Sequence, residues 1–174
     1  MKAFLAVLLL AVTLSAYAGH AQSSSPAPTV AQLLGSWQLV SVTDTVAGKD
    51  QPSVQFGAHP IGFIMYEPDG HMCATLTNGD RPSWKDPAKP TDAEKIAYYD
   101  TFVAYCGTFQ LDSAAPVVTH YPTIAWTPSY VGSAQPRPFR LEGDKLIITA
   151  TKGISDPAIQ KRVLVWQRAK KSTP

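Results

Sequence analysis

Three histidines, two cysteines and one proline-flanked arginine are the residues whose chemistry is worth locating first. Of the four histidines, His20 lies before the expected cleavage point after Ala21, and His59, His71 and His120 lie beyond it. No two of them stand at H-x-H or H-x-x-x-H spacing, and Cys73 and Cys106 are not spaced like zinc ligands. His71-Met72-Cys73 offers soft donors of the kind copper takes. Successive strand residues point to opposite faces, however, so Met72 would turn away from its two neighbours. No metal site and no cofactor is expected. There is no G-x-S-x-G elbow, P-loop or dinucleotide fingerprint either. No residue is therefore assigned a catalytic role, and His120 is the single candidate for one.

His120 sits inside the apolar stretch Val117-Val118-Thr119-His120-Tyr121. A polar ring there costs free energy unless it is partnered. It is read as a hydrogen-bonding group or general base on a pocket wall, or as a structural histidine bonded to a neighbouring strand. Arg137 lies between Pro136 and Pro138, which restrict the backbone around it. It either faces inward, where a guanidinium can hold a ligand carboxylate bidentately, or lies on the surface or against Glu142. Tyr66, Tyr105, Phe109 and Trp126 are candidate pocket walls, Phe109 being read first as ordinary core, because ligand sites are mostly apolar with a few placed polar groups. Cys73 and Cys106 form either a disulfide or two small buried hydrophobes on different strands.

These side chains need elements to position them. Gly35-Ser36-Trp37-Gln38-Leu39-Val40-Ser41-Val42 reads as a first strand and Val163-Leu164-Val165-Trp166-Gln167-Arg168 as a last one. Trp37 and Arg168 can stack only if the sheet closes on itself, a contact worth about 0.5–2 kcal/mol. Between them, Glu67-Pro68-Asp69-Gly70 and Glu142-Gly143-Asp144 are hairpin turns. Thr43 to Phe56 and Arg81 to Pro90 read as loops. Thr91-Asp92-Ala93-Glu94 is a capping box that opens one short helix over about residues 92–103, its Ile96, Tyr99 and Val103 stripe expected to pack on the core. Strands near residues 36, 61, 71, 105, 117, 137, 145 and 162 number eight. The expected fold is all-β: an eight-stranded antiparallel up-and-down barrel with one short helix, wide enough for one small ligand.

Lys2 followed by the apolar Ala3–Leu14 run has the form of a signal peptide, too short to span a bilayer. Cleavage is expected after Ala21, with Ala16-Tyr17-Ala18 as a second possible site and an uncleaved anchor as the alternative. The organisation expected is signal peptide 1–21, disordered leader 22–29, barrel domain 30–169 and tail 170–174, in a periplasmic or secreted protein. Removing Lys2 lowers the formal charge by one from +2, too little to imply a nucleic-acid partner. No second apolar segment approaches spanning length, so no membrane span is expected after signal removal.

The ordered set Leu34-Gly35-Ser36-Trp37, Tyr66-Glu67-Pro68-Asp69-Gly70, Ala104-Tyr105-Cys106-Gly107-Thr108-Phe109, Val118-Thr119-His120, Gln135 through Leu146 and Val165-Trp166-Gln167-Arg168 resembles the bacterial and fungal lipocalin-like domain family. The resemblance covers most of the chain after the signal. It implies a small antiparallel barrel with an interior pocket, and no agreed activity. The leading expectation is an exported barrel that binds a small, largely apolar molecule, with or without a carboxylate. The alternatives are an isomerase or cyclase using His120 as acid or base in the cavity, and a packed, ligand-free interaction module.

Overall fold

The computed structural model describes residues 27–112, 114–151 and 153–170. The expected signal peptide, nearly all of the leader and residues 171–174 of the tail lie outside them. Strand β1 (Gly35–Val46) runs on past Val42. It turns at Ala47 and Gly48, both at positive φ (48° and 74°), and returns as β2 (Lys49–Pro52). Positive φ at both central residues gives the backbone twist that a two-residue hairpin needs. The expected loop from Thr43 is therefore partly strand. All four β2 residues are exposed, so no apolar alternation announced them.

The remaining strands are β3 (Pro60–Tyr66), β4 (His71–Asn78), β5 (Phe102–Leu111), β6 (Val117–Ala125), β7 (Gln135–Glu142), β8 (Lys145–Ala150) and β9 (Ile159–Arg168). Their order follows the chain, and β1 also pairs with β9. Every pairing is antiparallel. Eight strands, β1 and β3 to β9, thus close a barrel, with β2 attached to the outer part of β1. Closure removes the exposed sheet edges that would otherwise invite aggregation.

One end is sealed. Helix α1 (Val30–Leu33) places Leu33 under the barrel, fully buried. The Trp37 indole donates to the Leu33 carbonyl at 2.8 Å. The Arg168 guanidinium lies 4.0 Å over the Trp37 ring and donates to the carbonyls of Leu34 (2.9 Å) and Gln32 (2.8 Å). The first and last strands therefore meet as the closed sheet requires.

Helix α2 (Asp92–Asp100) begins at its capping box, with Thr91 Oγ1 accepting from the Glu94 N–H and Glu94 Oε2 accepting from the Thr91 N–H. It ends before residue 103, because β5 has started by Phe102. Of the stripe expected to pack on the core only Val103 does, and it does so from β5: no residue of α2 is buried, and Ile96 and Tyr99 are 60% and 52% exposed. The helix belongs to an excursion from β4 to β5 that carries its own small cluster. There Trp84 packs on Tyr98 (ring centroids 5.2 Å apart), Arg81 stacks over Tyr98 at 4.5 Å, and Glu94 accepts from the Lys85 N–H. The excursion reaches the barrel rim through the Asp100 carbonyl, which accepts from Gln55, and through the Tyr99 hydroxyl, which donates to the Trp126 carbonyl.

Two bulges set which side chains point inward. One lies between Leu39 and Ser41 of β1. It leaves Val40 half exposed while Trp37, Leu39, Val42 and Asp44 are all buried. The other lies in β6, where Thr123 is the extra residue opposite Cys106/Gly107 of β5; there the two strands press together, and a Cβ on Gly107 would stand 2.0 Å from the Tyr121 carbonyl oxygen. Cys73 faces Cys106 across β4 and β5. The two are joined by a disulfide on the outer side of the wall, since their neighbours Met72, Ala74, Tyr105 and Gly107 occupy the buried phase.

Candidate functional site

The barrel interior holds a chain of polar side chains, each supplied by a different stretch. Tyr66 is the last residue of β3, Tyr105 lies in β5, His120 in β6 and Arg137 in β7. Tyr130 closes a 3-10 turn over Pro128–Tyr130. The Tyr66 hydroxyl lies 2.8 Å from His120 Nε2, and the Tyr105 hydroxyl 2.9 Å from His120 Nδ1. Both imidazole nitrogens are thereby engaged by phenols. Arg137 Nη2 donates to the Tyr130 hydroxyl (2.9 Å) and to Gln135 Oε1 (3.1 Å), and Nη1 to the Pro136 carbonyl (3.1 Å). The rings of Tyr105 and Tyr130 pack at 5.3 Å.

Burial fixes the protonation of this chain. His120 is 1% exposed. Removal from water, reinforced by the positive charge of Arg137, pushes its pKa down to about 3. The imidazole is therefore neutral, with one nitrogen donating and the other accepting, so one phenol donates a hydrogen bond to it and the other accepts one from it. Burial also raises the phenols of Tyr66, Tyr105 and Tyr130, with Arg137 opposing the shift in each. Arg137 thus brings positive charge to this hydrogen-bonded cluster.

Beside the cluster lies a cavity of about 60 Å³, with Ile64, Leu76, Ile148, Leu164 and Trp166 among its apolar walls. That holds a few water-sized groups, not a whole ligand. It opens through Gln55, Trp126, Tyr130, Ile154 and Arg162 into a funnel of about 700 Å³ at the unsealed end, a volume in the range of small-molecule sites. Val54 and Tyr99 form part of the funnel rim. Across its wall, Arg162 Nε and Nη2 donate to the two carboxylate oxygens of Asp44 at 2.6 and 2.9 Å. Both side chains are buried, so the ion pair ties β9 to β1 where the barrel meets the funnel.

Four of the residues expected at a site, Tyr105, His120, Trp126 and Arg137, come together on the cavity wall. Tyr66 stands behind His120, fully buried, and Phe109 packs edge-on against Tyr66 with centroids 4.9 Å apart. Both are inside the barrel, and neither is among the residues lining the cavity. The surface or Glu142-paired alternative for Arg137 is overturned. Arg137 is 5% exposed, and Glu142 instead accepts from Arg140 Nε at 2.6 Å. The alternation of β7 explains this: Gln135, Arg137 and Phe139 share the buried phase, while Pro136 and Pro138 take the other. His59 and His71 are exposed beside Asp80 and Asp69. Among the described residues no group of three or more His, Cys, Asp or Glu is placed to hold a metal ion.

Sequence reasoning missed Asp44, Tyr130 and Arg162. Arg162 had a signal: it stands in phase with Leu164 and Trp166, so whatever buries them buries it. Asp44 is inward only because of the bulge before it, and Tyr130 only because its turn folds back over the barrel.

A closed eight-stranded antiparallel barrel, sealed at one end and hollow toward the other, defines a small-ligand-binding barrel. The chain belongs to the lipocalin-like domain family, whose model matches residues 34–169. No curated protein matches it.

Proposed function

We propose that this protein is exported and that its barrel binds a small, largely apolar molecule bearing a carboxylate, without turnover. The reading rests on one observation: a buried guanidinium, Arg137, on the wall of a mainly apolar cavity that opens into a larger funnel. A carboxylate in the inner cavity would meet that charge, while its apolar body occupied the funnel between Trp126, Tyr130 and Ile154. Such pairing in a low-dielectric site is stronger than in water. Export is supported by the N-terminal apolar run and by the disulfide, which suits an oxidising compartment. Binding without turnover is supported by the state of His120. A general base works best with a pKa near the operating pH and a free lone pair toward substrate. This imidazole is pushed down to about 3 and has both nitrogens engaged.

Calorimetric titration with decanoate and decanol tests the reading. Wild-type protein is expected to bind decanoate at least tenfold more tightly, and Arg137→Gln to lose that preference while still binding decanol. Equal affinity for the two probes in the wild type, or binding of neither at millimolar concentration, would overturn it.

A further inference from the structure

Trp166 is 1% exposed and lines the inner cavity. Like that of Trp84, its indole N–H is buried without a hydrogen-bond partner among the described residues. Buried tryptophans usually satisfy that donor, and leaving one unmet costs about 1–3 kcal/mol. Its cross-strand neighbours cannot supply an acceptor side chain, being Leu39 on β1 and Leu146 on β8. The other cavity-lining residues of β9 and β8 supply none either: Leu164, Ile148 and Ala150 are apolar, and the Arg162 guanidinium only donates. The contrast with Trp37 is informative: that indole, one layer nearer the seal, has the Leu33 carbonyl at 2.8 Å.

We infer that Trp166 is a ligand-recognition residue: its Nε1–H donates to an acceptor oxygen on the end of the ligand that enters the inner cavity. The inference rests on the proposed binding in the barrel and adds a requirement to it. The leading group carries an oxygen with a lone pair to give, as a carboxylate or carbonyl does, and a plain hydrocarbon terminus leaves the donor unmet. A site built around a polar group discriminates strongly against analogues lacking its partner. Trp166 and Arg137 together would thus select a polar-end-first orientation, with the hydrocarbon toward the funnel.

The test is the indole N–H spectrum of ¹⁵N-labelled, sequentially assigned protein titrated with decanoate, with Kd measured in parallel for wild type and Trp166→Phe. The Trp166 Nε1–H resonance is expected to move downfield further than those of Trp37 and Trp84, and Trp166→Phe to bind decanoate about tenfold more weakly. If decanoate binds but the Trp166 resonance stays where it was, the inference is wrong and the binding reading stands. That spectrum needs no variant, so it decides the matter even if Trp166→Phe does not fold. A folded Trp166→Phe that binds as tightly as wild type overturns it too. If decanoate does not bind wild type at all, the binding reading fails and takes this one with it.

Discussion

His120→Gln separates a buried, permanently neutral imidazole from one that takes up protons near neutral pH. The ordinary histidine pKa is 6.5, and burial lowers it to about 3 in the folded barrel. Between those values the unfolded chain binds a proton that the folded chain refuses, so stability rises with pH across that window and is lost as pH falls through it. From pH 7 to 4.5 the loss traceable to this one ring is about 2–3 kcal/mol, and by pH 3 about 4 kcal/mol. Glutamine keeps one donor and one acceptor for Tyr66 and Tyr105 and cannot titrate. The variant is expected to be less stable than wild type at pH 7, with the gap shrinking by about 2–3 kcal/mol by pH 4.5. Urea unfolding at half-unit pH steps, read as the difference between the two proteins, cancels His59, His71 and the carboxylates common to both. Curves that stay parallel within about 0.5 kcal/mol would mean that the folded ring titrates normally. They would refute the locked hydrogen-bond chain and reopen a role for His120 in proton transfer.

Asp44→Asn should cost about 3–5 kcal/mol in urea unfolding, because it leaves Arg162 charged and buried, whereas replacing both partners with apolar residues should be near neutral or stabilising. A cost below about 1 kcal/mol for the single change would show that water reaches the pair. Cys73→Ser/Cys106→Ser should lower stability by about 3–4 kcal/mol for a closed loop of this length, given a sequence separation of 33. Decanoate affinity should hardly change, since the bond lies outside the wall; circular dichroism melts and calorimetry check the two halves of that expectation.

The barrel was legible because its marks are local and repeated. Hairpin turns such as Glu67–Gly70 announce themselves, and the Trp37 and Arg168 pair gives closure a reason. What stayed hidden depends on non-local geometry. The period-two pattern breaks at the bulge after Leu39, so Val40 and Val42 do not share a face, and Asp44 is drawn inward against the expectation for a loop acid. The helix stripe misled because Ile96 and Tyr99 lie at helical spacing whether or not a core is within reach, and here none is. His120 and Arg137 were visible as polar residues in awkward places. That they share a cluster with Tyr105 and Tyr130 follows only from the register of β5, β6 and β7 and from the turn that folds back over them.

The excursion between Asn78 and Phe102 holds itself together through Trp84, Tyr98, Arg81 and Glu94, and its helix buries nothing in the barrel. At the site the excursion touches only the funnel rim, through Tyr99, Asp100 and Thr101, whereas Arg137 and Trp166 stand on the barrel strands themselves. Mutation can rework the doorway, or a designer can graft another one, while the walls go on folding as before.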